Sequence, residues 1–160
     1  MSLQIGDRIP DATLFRRNDE GIRAIPARDV FAGRRVVVFA LPGAFTPTCS
    51  DTHLPGFVMH GAEIKAKAKA AAIVCLAVND AHVMNAWSRV NHAEAIEMVS
   101  DGNGEFTRAA GLTLDLSGTG LGIRSQRYAA VIDDGVVERL WVEPARGVTV
   151  SGAEAVLAAL

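Results

Sequence analysis

The chain has 160 residues, 49% hydrophobic and 21% charged, enough apolar side chain for one compact domain over residues 1–160 with a sizeable core. Its 18 acidic and 16 basic residues give a net charge of −2 spread along the sequence, and the densest basic run, Lys65, Lys67 and Lys69 among alanines, has the pattern of a solvated helix face, so nucleic-acid binding is unsupported. No apolar run approaches the roughly 20 residues that cross a bilayer, and the polar residues 1–8 lack a signal-peptide core, so a soluble, cytoplasmic protein with no membrane partner is expected.

The first strong element is Val36-Val37-Val38-Phe39-Ala40-Leu41, a continuous apolar run of strand length cut off by Pro42-Gly43. It predicts a buried central strand. After the loop Ala44-Phe45-Thr46-Pro47-Thr48, residues 49–72 have helical composition, with Pro55-Gly56 marking a kink or an irregular first segment. Residues 71–78, Ala-Ala-Ile-Val-Cys-Leu-Ala-Val, form a second buried strand, and residues 81–90 a helix capped by Asp80.

Residues 95–99 predict a short strand, residues 104–110 a short helix, and Gly118-Thr119-Gly120-Leu121-Gly122 a flexible loop. Residues 127–132 and 136–142 flank Asp133-Asp134-Gly135, a strong hairpin signal. In the tail, Ser151 followed three residues later by Glu154 reads as a capping pair ahead of a final apolar helix. Parallel strand–helix units, then an antiparallel hairpin and a last helix, predict an α/β protein of the thioredoxin-like fold, with a central mixed β-sheet flanked by helices.

Two cysteines, Cys49 and Cys75, are too few for a disulfide framework and lack CxxC spacing. Cys49 follows a buried strand by one short loop and opens a helix, where free backbone amides and the helix dipole favour negative sulfur. An ordinary thiol, with a pKa near ~8.5, is only a few per cent thiolate at neutral pH, so such a position matters for a nucleophile. Position alone leaves Cys49 open as either a small core residue or a reactive thiol.

The surrounding residues go further. Pro42-Gly43-Ala44-Phe45-Thr46-Pro47-Thr48-Cys49 resembles the proline, threonine, cysteine signature of the peroxiredoxins. The likeness extends to Ser50-Asp51, to His53-Leu54-Pro55-Gly56-Phe57, to Val78-Asn79-Asp80 and to Gly122-Ile123-Arg124-Ser125-Gln126-Arg127-Tyr128, nearly the whole chain, and is similar in detail to the fifth peroxiredoxin subfamily. The resemblance implies a thiol peroxidase in which Cys49 attacks hydrogen peroxide or an organic hydroperoxide. By the same resemblance the Thr46 hydroxyl bonds the sulfur and the peroxide, Arg127 holds the thiolate and the peroxide oxygens, and Pro42 shields the pocket. Attack on an O–O bond needs an ionised sulfur, oriented donors and stabilised charge on the departing oxygen, which these groups supply. Arg124 competes with Arg127; the place of Arg127 just before Tyr128 and the strand fits the family's pattern better.

Oxidation leaves a sulfenic acid that another thiol must meet. Cys75, inside an apolar strand, is expected to be a core residue, and the segment after Val142-Glu143-Pro144, where some relatives carry a resolving cysteine, has none. The expected cycle is therefore of the one-cysteine type, with glutathione, a glutaredoxin or thioredoxin as the reductant partner. His53 and His60 follow Cys49 closely enough to suggest a cysteine hydrolase, but the spacing argues against it: His53 is expected to make a local hydrogen bond, His60 and His82 have no evident ligand partners, and His92 sits in a polar loop. No metal motif occurs, and no cofactor is required. Family members commonly dimerise beside the active site, so a homodimer using Phe45, Phe57 and Trp87 is expected. The alternative from another class is a thiol redox sensor or chaperone-like partner-binding protein using the same cysteine.

Overall fold

The computed structural model describes residues 1–160. Nine strands are present: β1 Thr13–Asn18, β2 Gly21–Pro26, β3 Arg35–Ala40, β4 Ala72–Ala77, β5 Glu97–Ser100, β6 Thr113–Leu116, β7 Gly122–Ser125, β8 Tyr128–Asp133 and β9 Val136–Val142. The helices are α1 Ala27–Phe31, α2 Leu54–Ala68, α3 Ala81–Val90, α4 Glu105–Ala109 and α5 Ala153–Ala159, and a π-helical turn, Cys49–His53, runs directly into α2. Seven strands make one mixed sheet in the order β2-β1-β5-β4-β3-β8-β9, with β6 and β7 paired separately. Strands β3, β4 and β5 are parallel, whereas β8 runs antiparallel to β3.

The apolar run of β3 lies at the centre because successive side chains point to opposite faces and both faces are covered. Val36, Val38 and Ala40 join one core with Val30 and Phe31 of α1 and Phe106 of α4. Val37, Phe39 and Leu41 join the other with Phe57 of α2, Trp87 of α3 and Val156 of α5. Asp80 caps α3 by accepting from the Val83 amide at 2.9 Å, as its position suggests.

Four local differences from the sequence reading have physical reasons. The hairpin β1–β2 went unread because its pattern is broken by Arg16-Arg17 and because β2 is mostly exposed, so no apolar alternation marks it. Residues 118–122 are not simply a loop: they hold part of a 3₁₀ turn, Ser117–Thr119, and the start of β7, at the tip of the β6–β7 hairpin. The long helix stops at Ala68 rather than 72, with Lys69 in the left-handed conformation at φ 54°. Ser151 is not the cap of α5, which starts from Gly152 without a side-chain bond, because the Ser151 hydroxyl donates instead to Glu143.

Candidate active site

Strand β3 delivers the chain to the carboxyl end of the parallel strands, where Pro42 ends it and the loop 41–46 turns back into a helix. The turn is tied from both sides: the Ala44 amide donates to Asn79 Oδ1 at 2.9 Å, and Arg124 Nη1 donates to the Pro42 carbonyl at 3.1 Å. A Cβ on Gly43 would come 2.6 Å from Arg124 Nη1, so glycine is what lets the guanidinium approach. Phe45 sits in the left-handed region at φ 64°, a strained conformation for an aromatic residue, with its ring out in solvent.

The helical path begins at Pro47, whose fixed φ and missing N–H suit a first helical position. Cys49 therefore lies in the first turn, close to amides without intrahelical partners. The Leu54 amide then donates to the Cys49 carbonyl, five residues back, which makes the turn a π-helical one. Pro55 explains this: its ring would strike the carbonyl four residues earlier in a regular helix, and the wider turn relieves that clash.

Cys49 is buried and its sulfur lies 3.2 Å from Arg127 Nη2, the guanidinium approaching from the short link between β7 and β8. Arg127 Nη1 lies 2.8 Å from His53 Nδ1, and His53 Nε2 lies 3.0 Å from the Ser151 carbonyl. The His53 ring is fully buried and packs against Phe39 and Phe57. Burial pushes the His53 imidazole down to about 4, the Ser151 carbonyl partly opposing this and the charge of Arg127 adding to it. The bond of His53 is thus not local, as the sequence led one to expect: its partners lie 98 and 74 residues away.

Above these groups opens a cleft of about 540 Å³, lined by Pro42, Thr46, Thr48, Gln126, Arg127 and Arg146 among others. The Thr46 hydroxyl donates to the Gly43 carbonyl at 2.7 Å, which leaves its oxygen free to accept, and the residue lines the cleft. Pro42, Thr46 and Arg127 share the cleft wall, while buried Cys49 does not line it and is joined to it through its contact with Arg127. Arg124 is close by but is spent on backbone, its Nε donating to the Leu121 carbonyl at 2.9 Å.

Cys75 is fully buried in β4, opposite Phe39 of β3, and burial pushes its thiol far up; both cysteines are free. Phe57 and Trp87, expected at a dimer contact, are core residues with no exposed surface, and Trp87 Nε1 donates to Ser50 Oγ at 3.0 Å. Only Phe45 of the three is exposed.

Sequence reasoning used Glu143 only as a landmark. Its carboxylate takes the amides of Thr149, Val150 and Ser151 and the hydroxyls of Thr149 and Ser151. Burial raises the Glu143 carboxyl, but these donors outweigh it and hold the group down to about 2. The signal available was the Glu143-to-Ser151 spacing around Thr149-Val150, too common to single out.

A buried cysteine in the first turn of a helix, touched by a guanidinium beneath an open cleft, defines a thiol-based redox enzyme on a thioredoxin-like α/β fold. Comparison with known proteins makes this specific. The Redoxin family description matches residues 4–157. The chain is 47% identical over 166 residues to Peroxiredoxin-2E-2, chloroplastic, of Oryza sativa subsp. japonica, covering 99% of this chain and 73% of that one. Among solved structures it is similar to reduced Prx3 of Vibrio vulnificus in complex with H2O2, at 48% identity and a TM-score of 0.93, covering 98% of both chains. It is also similar to peroxiredoxin 5 of Alvinella pompejana, at 34% identity and a TM-score of 0.85, covering 98% of this chain and 96% of that one. The chain belongs to the peroxiredoxin family and is a peroxidase oxidoreductase.

Proposed function

We propose that this peroxiredoxin reduces hydrogen peroxide and organic hydroperoxides by a one-cysteine cycle through a Cys49 sulfenic acid. The observation that carries the reading is the 3.2 Å approach to Cys49 Sγ of Arg127 Nη2, from a residue that lines the cleft together with Pro42 and Thr46. The thiolate attacks one peroxide oxygen, the S–O bond forms as the O–O bond breaks, and the departing oxygen takes a proton and leaves as water or alcohol. Arg127 offers charge-assisted donors to the sulfur and to the oxygens that gain charge, while the Thr46 oxygen accepts from the peroxide O–H.

Return to the thiol follows from the cysteine count. With Cys75 shut in the sheet, an external thiol attacks the sulfenic acid, expelling water and leaving a mixed disulfide, and a second thiol attacks that disulfide to free Cys49. Glutathione with a glutaredoxin, or thioredoxin, is the reductant in this reading. The motif around Cys49 and the likeness to peroxiredoxin 5 of Alvinella pompejana support the fifth subfamily. Two free thiols fit a reducing compartment, here the cytoplasm. Exposed Phe45 and Ile123 beside the cleft support a homodimer, and the family match over 4–157 supports one domain.

The test is NADPH-coupled peroxide consumption with each reductant. Wild type and Cys75→Ser are expected to turn over alike and Cys49→Ser not at all. A folded but inactive Cys75→Ser would make Cys75 the resolving thiol, and a wild type silent with every thiol donor would sink the peroxidase cycle.

A further inference from the structure

His53 is fully buried, and its two ring nitrogens have different kinds of partner. A backbone carbonyl can only accept, so the contact of Nε2 with the Ser151 oxygen at 3.0 Å requires the proton on Nε2. Nδ1 is then a bare acceptor, and Arg127 Nη1, which can only donate, lies 2.8 Å from it. The same guanidinium places Nη2 3.2 Å from the Cys49 sulfur. Of the guanidinium nitrogens, one is thus held by His53 and another is presented to sulfur, in the fixed plane that arginine imposes.

The outer end of this arrangement is equally tied. The Ser151 amide and hydroxyl donate to the Glu143 carboxylate at 2.9 Å and 2.7 Å, and the Glu143 amide donates to the Arg127 carbonyl at 3.0 Å. The bonds therefore close a ring: Arg127 side chain to His53, His53 to Ser151, Ser151 to Glu143, and Glu143 back to the Arg127 backbone. A ring of this kind fixes the guanidinium relative to its own main chain, which a single contact to sulfur does not.

We propose that His53 is a positioning residue for the peroxide step, its Nδ1 holding the Arg127 guanidinium on Cys49 while Ser151, anchored by Glu143, fixes the ring's tautomer and orientation. This rests on the peroxidase reading. His53 itself touches neither sulfur nor peroxide; its effect is to keep a flexible cation in the one orientation that serves the sulfur. The reductive half of the cycle, in which a thiol attacks oxidised Cys49, does not need the peroxide oxygens to be held and depends on His53 far less.

The experiment compares two variants that each keep one half of the histidine. His53→Asn puts an amide oxygen where Nδ1 stood, preserving the acceptor for Arg127. His53→Gln puts an amide N–H where Nε2 stood, preserving the tie to Ser151 and leaving Arg127 Nη1 without a partner. The peroxide and thiol half-reactions are followed separately. The expected result is that His53→Gln lowers kcat/KM for peroxide about tenfold or more, that His53→Asn stays within about threefold of wild type, and that kcat/KM for the thiol moves less than about twofold in both. A native peroxide rate in His53→Gln, or a parallel fall of both half-reactions in both variants, would overturn the proposal in favour of a purely structural histidine. Nitrogen-15 spectra of the native protein give a second arm without mutation: His53 is expected as the Nε2–H tautomer, and the Nδ1–H tautomer would overturn the ring of bonds. Failure of the wild type to consume peroxide would instead remove the underlying peroxidase reading.

Discussion

Arg127 works in two directions, Nη2 toward Cys49 and Nη1 toward His53, so its shape matters as much as its charge. Lysine carries the charge on one nitrogen and cannot make both contacts in a plane. Arg127→Lys is accordingly expected to lower kcat/KM for peroxide roughly 100-fold, the size of a lost charge-assisted bond at a buried sulfur, with little change in thermal midpoint. Arg124→Ala is expected to do the reverse, losing the Pro42 and Leu121 carbonyl contacts and so lowering the melting temperature while costing less than about tenfold in rate. Steady-state peroxide kinetics beside a melting curve separate the two arginines. At this scale Pro42, Thr46 and Cys49 were singled out by one contiguous stretch and Arg127 by a separate one, residues 122–128, which folding brings to the sulfur. His53 and Glu143 were not, because what makes them special is a partner brought by folding from the far end of the chain.

Among the elements, those read best were the ones whose burial is written in continuous composition: β3 and β4 as unbroken apolar runs, α3 between its cap and its amphipathic face, and β8–β9 around Asp134-Gly135. The hairpins β1–β2 and β6–β7 were lost because β2 lies at the sheet edge and β6 and β7 form a separate two-stranded sheet, so their open faces keep charged and polar residues, while Arg16-Arg17 break the pattern of β1. The irregular start of the helix was foreseen from Pro55-Gly56, but the reason for Gly56 lies in the packing of α2 on α5: a Cβ there would meet the Ala153 Cβ at 3.3 Å. A branched side chain has no room at that crossing. Gly56→Val is expected to destabilise the protein by about 1–3 kcal/mol through overpacking, read by denaturant unfolding. Because α5 directly follows Ser151, the same variant is expected to slow peroxide reduction as well, whereas Gly118→Val, where a Cβ would meet nothing, should change neither.

Across the whole molecule the buried ring of bonds also sets how folding responds to acid. His53 has a pKa of about 4 in the folded protein against 6.5 in its ordinary state, so between those values the unfolded chain takes up a proton that the folded chain refuses. Stability from this group is complete above pH 6.5 and is lost as pH falls toward 4, by about 3 kcal/mol for a shift of this size. Glu143 and Glu97, both held below the usual carboxylate range, lose their contributions only below about 4.5. Asp101, pushed up by burial and partly held back by the Thr107 and Phe106 donors, acts in the opposite sense, its protonation easing the acid end. The early acid loss therefore belongs to His53 and the later one to the carboxylates. Urea unfolding across pH 4–8 is expected to show stability declining from pH 6.5 downward in wild type and staying flat between pH 6.5 and about 4.5 in His53→Phe, which keeps the ring's volume and removes its proton. An equal decline in that variant would place the acid-sensitive group elsewhere and leave the Arg127 anchor without its thermodynamic signature.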